Sequence, residues 1–216
     1  MFEKIEIKRD AKSRKLRIEV GEGGLLLITA PRFVSDAECL NFAKQNAQKL
    51  NKMIQKQLSF ELKKDELGGH FLYLGRKMPL AVKDEIKKRY VFDDEGGLIL
   101  SKKEHFRSFL LDEAKRIITP KADDIASFYG VQYEKISFRD VKSRWGSCSI
   151  RKNLSFSSRL IGAPKSVIEY VVIHEICHLK ELNHSKQFWS HVSALLPAYK
   201  ESEKWLKENG KLLFLY

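Results

Sequence analysis

The stretch from Val167 to Leu179 reads Val-Ile-Glu-Tyr-Val-Val-Ile-His-Glu-Ile-Cys-His-Leu, and it constrains the fold more than any other segment of the chain. A helix apolar on nearly every side has to be buried. This one carries His174, Glu175 and His178 into its surroundings. Burying imidazoles and a carboxylate is costly unless each finds a partner. Residues four apart stack on one helical face, so His174 and His178 are placed to present two nitrogens to one metal ion. Glu175 lies one residue round, close enough to take a proton from a water on that ion without ligating it. That is the H-E-x-x-H arrangement, and Zn2+ is the expected ion. Pro164 suits the first helical turn, with Ser166 and Glu169 as a second way of capping it.

A catalytic zinc takes three protein ligands and keeps one position open. His184 follows His178 by six residues, past an expected helix end at Leu182-Asn183, and a chain that turns back there brings it to the third position. Glu181 stands where the H-E-x-x-H-x-x-G-x-x-H pattern has glycine, so the turn must differ. Glu201 and Glu203 on a later helix are the competing third ligands. A structural site built with Cys148 and Cys177 would leave Glu175 without a purpose. His70, His105 and His191 are read as surface or packing residues.

The rest of the chain reads as α+β. Short strands are expected at residues 5–7, 16–20 and 25–29, then a long helix from Ser35, capped by Ser35 and Glu38, to about Lys64. A second set of strands is expected at 71–74, 80–82, 89–92 and 98–100. Helical periodicity resumes from Ser101 to about Tyr129, with Pro120 as a kink or break. Strands are expected at 131–138 and 154–156 around a polar loop, followed by three helices. The division that this suggests is a strand-rich region at 1–100 with one long helix, and a metal-binding catalytic domain at 101–216.

Charge enters through its location. The chain carries a formal +12, and from Lys135 to Lys165 there are eight basic residues against the single acid Asp140, a net +7. Such a run is either a solvated face or a field that attracts an anion such as nucleotide, nucleic acid or acidic peptide. Inside it lies Ser143-Arg144-Trp145-Gly146-Ser147-Cys148-Ser149. This is read either as a structural loop or as a wall of the site, with Arg144 and the hydroxyls of Ser143 and Ser147 binding an anionic substrate or a developing oxyanion. Three cysteines are too few for a disulfide framework in 216 residues. The first residues, Met1-Phe2-Glu3-Lys4-Ile5-Glu6, lack an apolar leader core, and no apolar run approaches the roughly 20 residues of a membrane span. A reduced, cytoplasmic protein is expected.

The run from His174 through His184 to Trp189, preceded by Ser143–Ser149, Asn153-Leu154 and Arg159-Leu160-Ile161, resembles the YgjP-like family of zinc metallopeptidase-type domains, related to SprT-like and WLM metalloproteases. The resemblance implies zinc ligands at His174, His178 and His184, with Glu175 as general base and acid. It also implies a zincin-like C-terminal part in which the H-E-x-x-H helix packs on a small sheet. The expected function is zinc-dependent hydrolysis of the metallopeptidase type. Two alternatives keep the basic stretch in view. One is a metal-dependent nucleoside-triphosphate pyrophosphatase (UTP-type) using the same site, against which stands the lack of a G-x-x-x-x-G-K-[ST] phosphate loop. The other is a nucleic-acid-associated zinc protein, although no DNA-reading motif is present.

Overall fold

A computed structural model describes residues 2 and 4–216; Met1 and Glu3 lie outside the described residues. The chain forms two compact units, Met1–Gly68 and Gly69–Tyr216.

In the first unit, β1 (Ile5–Arg9), β2 (Arg17–Val20) and β3 (Leu26–Ala30) form a sheet in the order β1-β3-β2. β3 is central, and its Leu26, Ile28 and Ala30 are fully buried. Alternation along β3 turns these three residues to one face, where Cys39, Ala43 and Leu50 cover them. The last three residues belong to α1 (Asp36–Gln45) and α2 (Ala47–Leu67). Ser35 opens α1 with a complete capping box: its hydroxyl accepts from the Glu38 amide while the Glu38 carboxylate accepts from the Ser35 amide. The single long helix expected here is two helices that meet at Asn46.

The second unit holds two sheets. β4 (His70–Tyr73), β5 (Arg76–Val82), β6 (Tyr90–Phe92) and β7 (Leu98–Leu100) pair in the order β4-β5-β7-β6. Phe71, Leu98 and Leu100 from this sheet share one core with Phe106, Phe109 and Leu110 of α3 (His105–Tyr129). Residue 100 is therefore bound by packing to the helix that follows it, and the observed division falls earlier, at Gly68. Pro120 lies inside α3 without ending it.

The smaller sheet contains β8 (Lys135–Arg139), β9 (Gly146–Cys148) and β10 (Asn153–Ser157), with β10 central. β8 runs parallel to β10 and β9 antiparallel to it. Leu154 and Phe156 point from β10 into the main core. There they meet α4 (Lys165–Cys177), the helix that carries the H-E-x-x-H run. α4 packs against α3, β9, α5 (Lys186–Leu195) and α6 (Tyr199–Asn209). Its neighbour α3 offers Ala114, Ile118, Ala122 and Ala126 at four-residue spacing. That ridge of mostly small side chains lets the two helices approach closely. The architecture is α+β, and among the described residues no helix is long and apolar enough to cross a membrane.

Candidate metal centre

α4 ends at Cys177, and the chain then turns over Leu179–Glu181. The turn is closed by the amides of Leu179, Lys180 and Glu181, which donate to the carbonyls of Ile176, Cys177 and Cys177. Glu181 is not among the residues with positive φ. Glycine is therefore not required there, and this accounts for the departure from the longer motif. α5 begins immediately afterwards, capped by the Ser185 hydroxyl accepting from the Phe188 amide.

This return brings His184 back beside α4. One nitrogen each from His174, His178 and His184 lies within 4.8 Å of the others. The Nε2 atoms of His174 and His184 are 3.0 Å apart. His178 Nδ1 lies 2.9 Å from the Glu181 carbonyl oxygen. A carbonyl only accepts, so Nδ1 carries the proton and Nε2 keeps its lone pair. Phe188 stacks on the His178 ring, with centroids 4.4 Å apart, and fixes its plane. Burial, together with the His178 and His184 rings, lowers the His174 pKa to about 4. The imidazole is thus neutral and ligand-ready at neutral pH.

These features fit a divalent cation. Two imidazole nitrogens at 3.0 Å must either share one proton or direct their lone pairs at a common ion. His174 Nδ1 is buried with no hydrogen-bond partner, so among the described residues the Nε2 contact with His184 is the one hydrogen bond that offsets the desolvation of this ring. Nitrogens about 2.1 Å from one tetrahedral zinc stand roughly 3.4 Å apart, within the spread of the three rings. Glu201 and Glu203 on α6 are not part of the cluster. Neither cysteine joins it. Cys177 is buried, and burial raises its pKa to about 12. Cys148 faces Glu175, with its pKa raised to about 11 by burial and by that carboxylate.

Glu175 is 5% exposed. Burial raises its pKa to about 8, and the nearby Arg144 guanidinium opposes the rise. The carboxylate fits because β9 passes over it at a glycine. A Cβ on Gly146 would lie 2.6 Å from both Cγ and Oε1 of Glu175. β9 was missed in the sequence, where Gly-Ser-Cys carries no strand-forming side chain. A glycine between Trp145 and Ser147 in a stretch rich in polar residues was the available signal. The neighbouring Trp145 is a packing residue, stacked on Phe214 with centroids 5.2 Å apart.

β9 is an edge strand. Ser157 donates to the Trp145 carbonyl and Ser149 to the Asn153 carbonyl, which sets the odd-numbered residues of this stretch as the ones bonded to β10. The N–H and C=O of Gly146 and Cys148 therefore point away from β10 along the open edge, beside Glu175. Ser143 and Arg144 are exposed in the loop that leads into β9, and Ser147 is half-buried within it.

A family model described as YgjP-like, metallopeptidase domain, matches residues 14–209. No curated protein matches the chain significantly. Among solved structures, the metallopeptidase zymogen abylysin of Pyrococcus abyssi is 23% identical, with 44% of this chain and 94% of that one covered and a TM-score of 0.39. The metallopeptidase zymogen jannalysin of Methanocaldococcus jannaschii is 21% identical, with 44% and 96% covered and a TM-score of 0.38. Likeness of that extent carries no argument about this chain.

Proposed function

The chain belongs to the YgjP-like metallopeptidase-domain family, and on that premise we propose that it is a zinc-dependent peptidase with His174, His178 and His184 as the metal ligands and Glu175 as the catalytic proton carrier. The observation that carries this reading is the convergence of three imidazole nitrogens within 4.8 Å beside a buried carboxylate. When bound, the ion supplies Lewis-acid activation of water and of the scissile carbonyl.

The chain's own residues do the rest. His178 is held in one tautomer by the Glu181 carbonyl, so its free lone pair faces the cluster. Glu175 accepts the proton of the attacking water and returns it to the leaving amine. Burial raises its pKa in the metal-free protein, and a divalent cation held by the three imidazoles would favour the ionised form that accepts the proton. Arg144 favours the ionised form. The outward N–H and C=O groups of Gly146 and Cys148 take an extended peptide as an additional strand, which lays a peptide bond along the side of α4 that carries Glu175. Ser143 and Ser147 offer hydroxyl donors to the same segment. The family match concerns a metallopeptidase domain and lends nothing to phosphoanhydride hydrolysis.

The test compares wild type, His174→Ala and Glu175→Gln on an unfolded protein substrate and on nucleoside triphosphates, with metal content measured for each. Wild type is expected to hold close to one zinc per chain and to cleave the polypeptide alone. His174→Ala should lose the metal. Glu175→Gln should keep it and lose activity by about 10²–10⁴-fold. Full activity in Glu175→Gln, or release of pyrophosphate without peptide cleavage, overturns the proposal.

A further inference from the structure

The three-stranded sheet has a second face, turned away from α4. In register across it stand Ser137 of β8, Ser155 of β10 and Ser147 of β9. With Arg139, Arg144 and Asn153 these serines line a cleft of about 420 Å3 that contains no acidic side chain. Among the described residues, the hydroxyls of Ser143, Ser147 and Ser155 make no hydrogen bond to protein, and neither Arg139 nor Arg144 has a carboxylate within ion-pair distance. Of the eight basic residues between Lys135 and Lys165, Arg159 alone is ion-paired among the described residues, with Asp140. Among the described residues the positive field over this face is opposed at a distance, by Glu175 near Arg144 and by Asp140 near Lys142, and not by ion pairs within the cleft. Unspent donors and unpaired cations facing a cleft of this size fit an anionic ligand.

The kind of anion follows from what the face lacks. Single-stranded nucleic acid is held by stacking bases on aromatic rings. The one aromatic ring bordering the cleft, Phe156, is 1% exposed and belongs to the core on the other side. The cleft also shares Arg144, Gly146 and Ser147 with the candidate metal centre. A peptide added along β9 would alternate its side chains between the two faces of the sheet. One set would face α4 and the other would overhang the serines and arginines.

We propose that this open Ser/Arg face of the β8-β10-β9 sheet binds acidic side chains of a polypeptide substrate, so that the enzyme prefers segments rich in Asp and Glu. The inference rests on the peptidase reading above for its consequence, but the binding itself is measurable without turnover. A labelled Glu-rich peptide and its Gln-for-Glu counterpart are titrated against zinc-loaded Glu175→Gln protein, in the presence and absence of Arg139→Gln. The Glu-rich peptide is expected to bind at least about tenfold more tightly, with the advantage shrinking between about 50 and about 500 mM salt. Arg139→Gln should reduce that advantage several-fold while Arg139→Lys retains most of it, with thermal melts showing that both variants are folded. Equal binding of the two peptides overturns the proposal, as does tighter binding of a single-stranded oligonucleotide of equal charge. Wild type is then given both peptides as substrates. Cleavage without acidic preference sinks this inference alone, whereas acidic binding with no cleavage of either peptide sinks the peptidase reading alone.

Discussion

Gly146 and Glu175 occupy adjoining space so tightly that one added carbon on the first would overlap the carboxylate of the second, 2.6 Å from its Oε1. The strand that borders the site and the acid on the helix beneath it are therefore fitted to each other by the absence of a side chain.

Gly146→Ala should displace the Glu175 carboxylate without touching the imidazoles. Metal content is expected to match wild type while peptidase activity falls by at least about tenfold. Stability should drop by about 1–3 kcal/mol, the usual range for overpacking. Zinc analysis, initial rates and a denaturant melt on the same preparation check all three; unchanged activity would mean that the carboxylate can move aside at no cost to the reaction.

Glu175 makes the stability of metal-free protein depend on pH. Its folded pKa of about 8 lies above the ordinary 4.5, so between those values the folded state holds a proton that the unfolded chain releases. The contribution is fully present below about pH 4.5 and is lost as pH rises through 8. Glu175→Gln removes this dependence. The variant should gain on wild type by up to about 5 kcal/mol toward alkaline pH, and the two should converge near pH 5. Chemical denaturation in chelator across pH 5–9 reads the difference directly.

Arg159 is the tie that holds the start of the Ser143–Ser149 loop. Its Nε donates to Asp140 Oδ1 at 2.7 Å and its Nη2 to Oδ2 at 3.1 Å, while Nη1 donates to the Tyr216 carbonyl. Both charged side chains are mostly covered, 12% and 18% exposed. Arg159→Ala should cost about 1.5–3 kcal/mol, because Asp140 loses two charge-assisted hydrogen bonds and keeps the longer 3.8 Å contact with Arg107 Nε. The guanidinium holds the Asp140 pKa below its usual value. That stabilisation is present above the unfolded carboxylate pKa and is lost as pH falls through the folded one. The wild type's margin over Arg159→Ala should therefore narrow in acid, measured by thermal melts from neutral pH downward.

How much of this was visible in the sequence depends on side-chain pattern. α4 was legible because Val, Ile and the two histidines repeat at helical spacing, and His184 because its distance from His178 allows one turn and a return. The break at Asn46 was hidden, since the apolar period runs through it from Ala43 to Ala47 and Leu50. β9 was hidden for the opposite reason. Three small residues show no period at all, and only pairing with β10 makes them a strand. The fit of Gly146 against Glu175 was equally out of reach, because it joins residues that approach each other through two different elements.

The bond from His178 to Glu181 has a consequence for which substitutions the site tolerates. The acceptor is a main-chain oxygen, and the turn around it is made with ordinary backbone angles. Position 181 can therefore change its side chain freely across related sequences while the imidazole keeps its orientation. Proline is the exception, because the Glu181 amide is itself spent on closing the turn.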